Sequence, residues 1–485
     1  MHQVANNVQL ELDHSSPCLR FLAMPGKPDI PPIELHPLLA AVLSRLNAGW
    51  TVDDLSALLH QKLGQSMDKL NEIVRDARAC YRRHLERAET GAWAAPEGRI
   101  DEMLDELAGS GETFEVRNVV LPGDRMPFPK QLQWLVTRYC DRRCIYCYQS
   151  IMPGESSADS EIPVPRVMEI LDECWRLGVQ SMYITGGEPL LRPDLCEVVR
   201  RAVELEIRPD IYTKHFVTEE EADRLAATGL KSIWLSIDSM DPEVAERVTG
   251  TERFAESMAS VIERLIRRGF MVRTSTVLTS ENARTIPFTM QRLEKLGVTQ
   301  AAIDAWGRTG RPSLDYLTPS VEVSDQVCEW VARFNEAEGR SITVTLANTV
   351  RDRVLPMNLK QDRILCHNGV TALLFNPVGQ VIRCDKELPG MDVVVGDLRT
   401  QAVHEVWSSE RMISTLKPPR ELYKGSLCYD CDFFEWCHRQ GRCFYESYVT
   451  GKTLYGPYGN CPFHQKEERR RAEAGETQAA AGPAA

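Results

Sequence analysis

Three cysteines fall in one short stretch, Cys140-Asp141-Arg142-Arg143-Cys144-Ile145-Tyr146-Cys147, directly after an apolar, strand-like run at 132–137. Thiolates are soft ligands that suit zinc or iron–sulfur clusters. Structural zinc takes four ligands, often as two Cys-x-x-Cys pairs. Three thiolates on one loop instead suit three irons of a [4Fe–4S] cube. The fourth iron would then be open to a substrate or cofactor. The competing interpretation is a zinc knuckle or a chance group of core cysteines.

From residue 131 the pattern alternates. Strands are expected at 132–137, 181–185, 210–213, 232–237, 271–278 and 301–305, with helices at 164–177, 193–205, 219–228, 242–268 (interrupted near Gly250) and 285–296. Repeated strand–helix units demand a parallel sheet with right-handed crossovers, an α/β fold. In barrels of this kind the site lies at the C-terminal strand ends, where the cysteine loop falls. After the second strand comes Gly186-Gly187-Glu188-Pro189, two glycines that permit close backbone approach and a carboxylate acceptor. The fourth strand ends in Ser236-Ile237-Asp238-Ser239. Ser239 or Asp241 is well placed to cap a helix starting at Pro242.

Seven further cysteines follow: Cys366, Cys384, Cys428, Cys431, Cys437, Cys443 and Cys461. Cys428-x2-Cys431 also opens many zinc ribbons, so one or two zincs are the alternative. The chain has 485 residues, 15 cysteines and a net charge of −12, a length sufficient for roughly two to four domains. Grouped cysteines without an apolar N-terminal signal favour metal ligands in a reducing, cytoplasmic setting over disulfides. The charge offers no bulk basic field for nucleic acid, and no apolar run is long enough to span a membrane. Cys18, Cys80, Cys174, Cys196 and Cys328 stand outside these groups and carry no assigned role.

The x3, x2 spacing with Tyr146 before the last cysteine resembles the radical S-adenosylmethionine (SAM) superfamily. The resemblance implies a partial (β/α)6 barrel over 131–310, with SAM held at the open iron through its amino and carboxylate groups. Reductive cleavage would then give a 5′-deoxyadenosyl radical that abstracts hydrogen. Gly186, Gly187, Glu188 and Pro189 are similar to the family's GGEP motif, which holds the methionine amino group. Ser236 and Asp238 match ribose-contact positions, and Arg247 a position near the SAM carboxylate. Thr213 matches the first residue of a recurring Thr-Asn pair, but Lys214 replaces the Asn. Arg308, after Gly307, resembles an adenosyl-pocket residue, and Tyr146 would lie near adenine.

The later cysteines resemble the SPASM domain, with Gly379-x4-Cys384 and Cys428-x2-Cys431-x5-Cys437 matching its pattern and the Cys437–Cys443 interval departing from it. The resemblance implies one auxiliary [4Fe–4S] cluster on Cys428, Cys431, Cys437 and Cys461. A second would sit on Cys366, Cys384 and Cys443, its fourth position open or filled by His367 or Asp385. With the SAM-binding cluster this makes three.

Residues 1–90 read as two short strands and three helices. They resemble the winged helix-like PQQ-chaperone domain fused to peptide-modifying radical SAM enzymes, where a leader peptide adds as a strand. A helical cap that only shields the barrel is the alternative. Residues 91–130 read as a linker with a short helix near 100–107, 311–365 as a connecting segment, 366–464 as the SPASM domain and 465–485 as a disordered tail. Together these imply a maturase of a ribosomally made peptide or protein, giving a thioether or carbon–carbon crosslink or a related change, with flavodoxin or ferredoxin as electron donor. Rival expectations are a sulfatase-type formylglycine maturase, a PQQ-type crosslinking enzyme and a non-catalytic metal-cluster scaffold that binds a peptide.

Overall fold

The computed structural model describes residues 8–12, 17–21, 29–93, 95, 98–120, 125–149, 161–307, 312–347, 366–386, 388, 390–439, 443–457 and 461–473. The first strands, β1 (Val8–Glu11), β2 (Cys18–Phe21) and β3 (Ile33–Glu34), form an antiparallel sheet in the order β1-β2-β3. Helices α1 (Pro37–Asn47), α2 (Val52–Leu63) and α3 (Met67–Cys80) follow. Local chemistry sets their ends. Thr51 and Ser66 accept from the Asp54 and Lys69 amides, and Gly64 closes α2 in the left-handed region. The stretch expected to link this unit to the barrel contains helix Arg99–Gly109. Its Ile100, Met103, Leu104 and Leu107 are buried, and it packs on α1 and α2. After the short helix Arg82–Arg87, the 3.6-residue period thus adds a further helix to the N-terminal unit.

The unit is docked on the barrel. Gln180 donates to the Ala79 and Cys80 carbonyls at 2.8 and 3.1 Å. The Arg87 guanidinium lies 4.4 Å over the Trp175 ring. Buried His84 meets Phe128 edge-on at 4.9 Å, and Tyr81 meets the same ring at 5.4 Å.

Ten strands make the main sheet, in the order β10-β9-β8-β7-β6-β5-β4-β11-β12-β13. They are β4 (Gln131–Leu135), β5 (Ser181–Thr185), β6 (Arg208–Thr213), β7 (Ser232–Ser236), β8 (Met271–Leu278), β9 (Gln300–Ala305), β10 (Thr343–Leu346), β11 (Ala372–Phe375), β12 (Gln380–Ile382) and β13 (Val394–Asp397). β4 to β9 are parallel neighbours joined through helices, as the alternation predicts. Alternate residues such as Met182, Ile184, Ile211, Ile233 and Leu235 are buried in the core. The opposite face carries an aromatic ladder: Tyr183 and Tyr212 at 4.3 Å, then Tyr212 and Trp234 stacked at 5.3 Å.

Both edges of the six-strand unit are extended. The segment expected only to connect holds helix Val321–Glu336 and β10, a seventh parallel strand on β9. At the other edge β11 pairs parallel with β4, so the C-terminal region begins by covering the barrel's open edge. Helix Pro462–Glu473 runs into the part expected to be a disordered tail. Among the described residues no helix is long and apolar enough to cross a membrane.

Candidate functional site

The cysteine loop leaves β4 and is clamped from two sides. Gly187 N and Glu188 N donate to the carbonyls of Thr137 and Tyr139, both at 2.7 Å. A Cβ on Gly187 would stand 1.9 Å from the Tyr139 carbonyl oxygen; one on Gly186, at φ +132°, would stand 2.7 Å from that of Thr137. What the two glycines approach here is therefore the backbone of the cysteine loop itself. From the other side, Arg143 N and Ile145 N donate to the carbonyls of Thr249 and Val248 at 3.3 and 3.0 Å, at the C-terminus of helix Pro242–Thr249. Cys147 N then turns back to Cys144 O at 3.1 Å.

The three thiols gather in this clamp and feel one another's charge. Burial first, then Glu188, Asp141 and Cys147, push Cys140 up to about 11. Burial, Asp238, Cys147 and Cys140 push Cys144 up to about 12, against the pull of Lys214. Thiolates so desolvated are stabilised by a metal or another cation, and the irons of an iron–sulfur cube would accept their lone pairs. Among the described residues no three His, Cys, Asp or Glu side chains close around a single-ion point. Three thiols on one clamped loop are the ligand number that suits three irons of a cube.

Beside the loop lies a buried polar network. Glu188 is 2% exposed. Its carboxylate accepts from Thr213 Oγ1 at 2.6 Å, Leu190 N at 3.1 Å and Lys214 N at 2.9 Å. Burial raises its pKa despite those donors. A carboxylate has about four lone-pair sites, so one more donor such as an ammonium can be received. Pro189 opens the one-turn 3₁₀ segment Pro189–Leu191 that presents the Leu190 amide.

Asp238, 1% exposed, accepts from Tyr146 Oη at 2.7 Å, Lys214 Nζ at 2.8 Å and Val277 N at 3.0 Å. Lys214 also donates to Ser236 O at 3.0 Å. Burial opposes the Lys214 charge, but Asp238, Cys144 and Glu188 outweigh it, so its pKa is raised. Lys214, read from sequence only as a missing Asn, is a buried ammonium that joins the strand end to the cysteine loop. Its position after Thr213 was the available signal; its partner was not legible. Trp306 was also missed, and donates to Tyr146 O at 3.2 Å.

Other candidates lie further out. Ser236 Oγ accepts from Ser275 Oγ at 3.3 Å. The Arg247 side chain is 52% exposed and pairs with Glu281 at 2.9 Å. Arg308 lies outside the described residues. Asp241 caps helix Pro242–Thr249 through Val244 N at 3.0 Å.

Among the C-terminal cysteines, Cys384 and Cys443 feel Cys366, and Cys461 feels Cys428 and Cys431. Burial, then Asp385, Cys366 and Cys443, push the Cys384 thiol well up. Burial, Glu446 and Cys366 push Cys443 up to about 11, against Lys386. Cys461 is raised by burial and then by Cys428 and Cys431, and Cys437 stands on helix Phe434–Arg439 just beyond Cys431. Of the two residues offered as a fourth ligand, His367 holds its Nδ1 3.1 Å from Thr371 Oγ1, while Asp385 Oδ1 lies 4.0 Å from Cys384 Sγ.

The Cys140–Cys147 loop and the Cys384 group face each other. Tyr148, next to Cys147, donates to Asp385 Oδ2 at 3.0 Å. Lys386 Nζ lies 5.8 Å from the Tyr148 ring and 5.1 Å from that of Tyr445. Between them is a cavity of about 310 Å³, lined by Thr137, Arg138 and Gln149 on one side and Pro377, Asp385 and Met391 on the other.

Comparison with known proteins agrees with this geometry. The Radical SAM superfamily model matches residues 134–293, and the SPASM iron–sulfur cluster-binding domain model matches residues 366–432. The AdoMet-dependent heme synthase of Methanosarcina barkeri is 24% identical over 329 residues, 64% of this chain and 90% of that protein. Mycofactocin maturase MftC of Mycobacterium tuberculosis is 25% identical over 339 residues, 69% and 83% of the two chains. The PqqA peptide cyclase of Granulibacter bethesdensis is 28% identical over 313 residues, 61% and 78%. Streptococcus suis SuiB bound to its precursor peptide SuiA shares the fold, with a TM-score of 0.59 at 15% identity over 95% of this chain and 99% of that one. With its cysteine loop at the mouth of a parallel partial barrel and a second cysteine set beyond it, the chain is a radical SAM enzyme that carries a SPASM domain.

Proposed function

We propose that the chain is a maturase that modifies a ribosomally made peptide or protein. Its N-terminal unit binds the leader, and its barrel mouth receives the residue to be changed. The observation that carries this is the N-terminal unit itself. The three curated relatives named above align over 61–69% of the chain, whereas the fold shared with peptide-bound SuiB extends over 95% of it. The N-terminal unit contains a small antiparallel sheet whose outer strands, β1 and β3, are open to strand addition.

In this proposal Cys140, Cys144 and Cys147 hold the cluster that binds SAM. Cys428, Cys431, Cys437 and Cys461 hold one auxiliary cluster, and Cys366, Cys384 and Cys443 another. SAM bound at a reduced cluster supplies hydrogen-atom abstraction from an unreactive carbon. The protein's own part is placement. Glu188 keeps one lone pair for the methionine ammonium. Lys214 and Asp238 fix the Tyr146 ring and the strand end around the nucleoside, and the clamp of Gly187 and Val248 holds the thiolates in register. Docking a leader on the N-terminal unit raises the effective concentration of the target residue at the cavity between Gln149 and Asp385. A flavodoxin or ferredoxin supplies the electron in the cell.

Hydrogen exchange on the anaerobic full-length protein tests the docking. The probe is the product of a short reading frame beside the gene. Added peptide is expected to protect the amides of β1 or β3. Tight binding with neither strand protected would contradict strand addition. Formation of 5′-deoxyadenosine with that peptide unaltered in mass would favour a different substrate class.

A further inference from the structure

Arg383 follows β12 and directly precedes Cys384. Its backbone is fixed by donation from Arg383 N to Val393 O at 2.8 Å. Its guanidinium is sunk in the protein: among the described residues, Nε and Nη1 are both buried without a hydrogen-bond partner. Burial pulls its pKa below the ordinary arginine value, and Cys366 and Cys384 act against that pull. Space has been cleared for it. A Cβ on Gly369, which sits at φ +80°, would come within 2.3 Å of Arg383 Nη1. A second cation is close by. Arg125 donates to Gly369 O at 3.0 Å and Trp407 O at 2.9 Å, and its own charge is disfavoured by burial and by Arg383.

Two buried cationic N–H groups without an acceptor, next to a second arginine, are unfavourable unless an anion stands among them. The thiolates and sulfides of an iron–sulfur centre are such an anion. We propose that Arg383 directs Nε–H and Nη1–H at the sulfur of the auxiliary centre on Cys366, Cys384 and Cys443, and that its charge raises that centre's reduction potential. The proposal rests on the cluster assignment made under the proposed function. Reduction brings one electron and one unit of negative charge to the centre, and a fixed cation in a low-dielectric site favours the more negative form. Arg383 is thus a tuning residue that makes this centre a better electron acceptor; it touches no reacting carbon.

The test uses the full-length chain, reconstituted without oxygen and titrated with dithionite under EPR detection. The Cys384→Ala variant identifies the signal of this centre by its loss. At the potential where that centre is half reduced in the parent, Arg383→Gln and Arg383→Met are expected to show a reduced-to-oxidised ratio about tenfold lower, about 59 mV for a one-electron couple. Arg383→Lys is expected to stay near the parent. If both neutral variants lose the centre while Arg383→Lys keeps it, the requirement for charge is supported. Either neutral variant carrying full iron and titrating like the parent overturns the proposal, as does loss of the centre in all three Arg383 variants. If Cys384→Ala removes no signal, the cluster assignment fails first and the Arg383 proposal with it.

Discussion

Adding a single methyl group at Gly187 should disable the cysteine loop while leaving the barrel folded. In Gly187→Ala the new carbon would sit 1.9 Å from Tyr139 O and 2.6 Å from the Tyr139 carbonyl carbon. Both are backbone atoms, so no rotamer change relieves the clash. Overpacking of this kind costs about 1–3 kcal/mol. Separating the strands also loosens two hydrogen bonds, from Gly187 N to Thr137 O and from Glu188 N to Tyr139 O, at about 1 kcal/mol each. The sum, about 3–5 kcal/mol, lies at or below the usual stability of a domain, about 5–15 kcal/mol. The loop should therefore move before the barrel unfolds. The assay is iron and sulfide content after anaerobic reconstitution, read with circular dichroism and with 5′-deoxyadenosine formed from SAM and dithionite. Secondary structure should persist, one cluster's worth of iron should be lost, and SAM cleavage should fall at least tenfold. Gly109→Ala is the control, since nothing lies within 4 Å of its Cβ position and the change should be neutral or slightly stabilising. Full iron content and parental SAM cleavage in Gly187→Ala would refute the clamp.

Further predictions concern the buried charges and the later cysteines. Lys214→Met leaves the Asp238 carboxylate without its cation at 2.8 Å and should destabilise the protein by about 3–5 kcal/mol, read by denaturant unfolding of the apoprotein; Lys214→Arg should recover part of the loss. Glu173 caps the helix at Val403–Trp407, accepting from Val403 N at 2.8 Å and from His404 N and Nδ1 at 2.9 and 2.6 Å. Burial raises its pKa, but the His404 and Val403 donors overcome this and hold it below the ordinary carboxylate value. That stabilisation is present above the unfolded carboxylate pKa and is lost as pH falls through the depressed folded value. Glu173→Gln should lower stability near neutrality by about 1.5–3 kcal/mol and flatten the acid limb of a melting-temperature profile; an unchanged limb would contradict the cap. Cys384→Ala and Cys428→Ala should each remove a different auxiliary cluster, seen as separate losses of iron and of EPR signal, while SAM cleavage without peptide persists.

Much of this was legible because the chemistry is local. The loop Cys140–Cys147, the Gly-Gly-Glu-Pro turn and the alternation of apolar strands with amphipathic helices place the barrel and its mouth without any tertiary knowledge. The cysteine groups followed from the resemblance to the SPASM pattern, and the thiol electrostatics link Cys366, Cys384 and Cys443, and separately Cys428, Cys431 and Cys461. Pairings between residues far apart in the chain were not legible. Lys214 reads as a departure until Asp238 and Cys144 are seen beside it. Helix Arg99–Gly109 was legible near 100–107, but its packing on α1 and α2, which makes it part of the N-terminal unit and not of a linker, was not. Strand β10, at four residues, gives too little pattern to separate it from a connection, and β11 joins the barrel across more than 200 residues, a pairing no local signal specifies.

The central claim is that the Cys140–Cys147 loop leaves one iron free to take SAM. EPR of the oxygen-free, dithionite-reduced protein tests it most directly, using a variant with Cys384→Ala and Cys428→Ala so that the remaining signal comes from this loop. Addition of SAM is predicted to change the g-values of that signal, and to do so no longer when Cys144→Ala is added. A reduced cubane spectrum that SAM leaves untouched, or zinc in place of iron with no 5′-deoxyadenosine formed, would contradict the account.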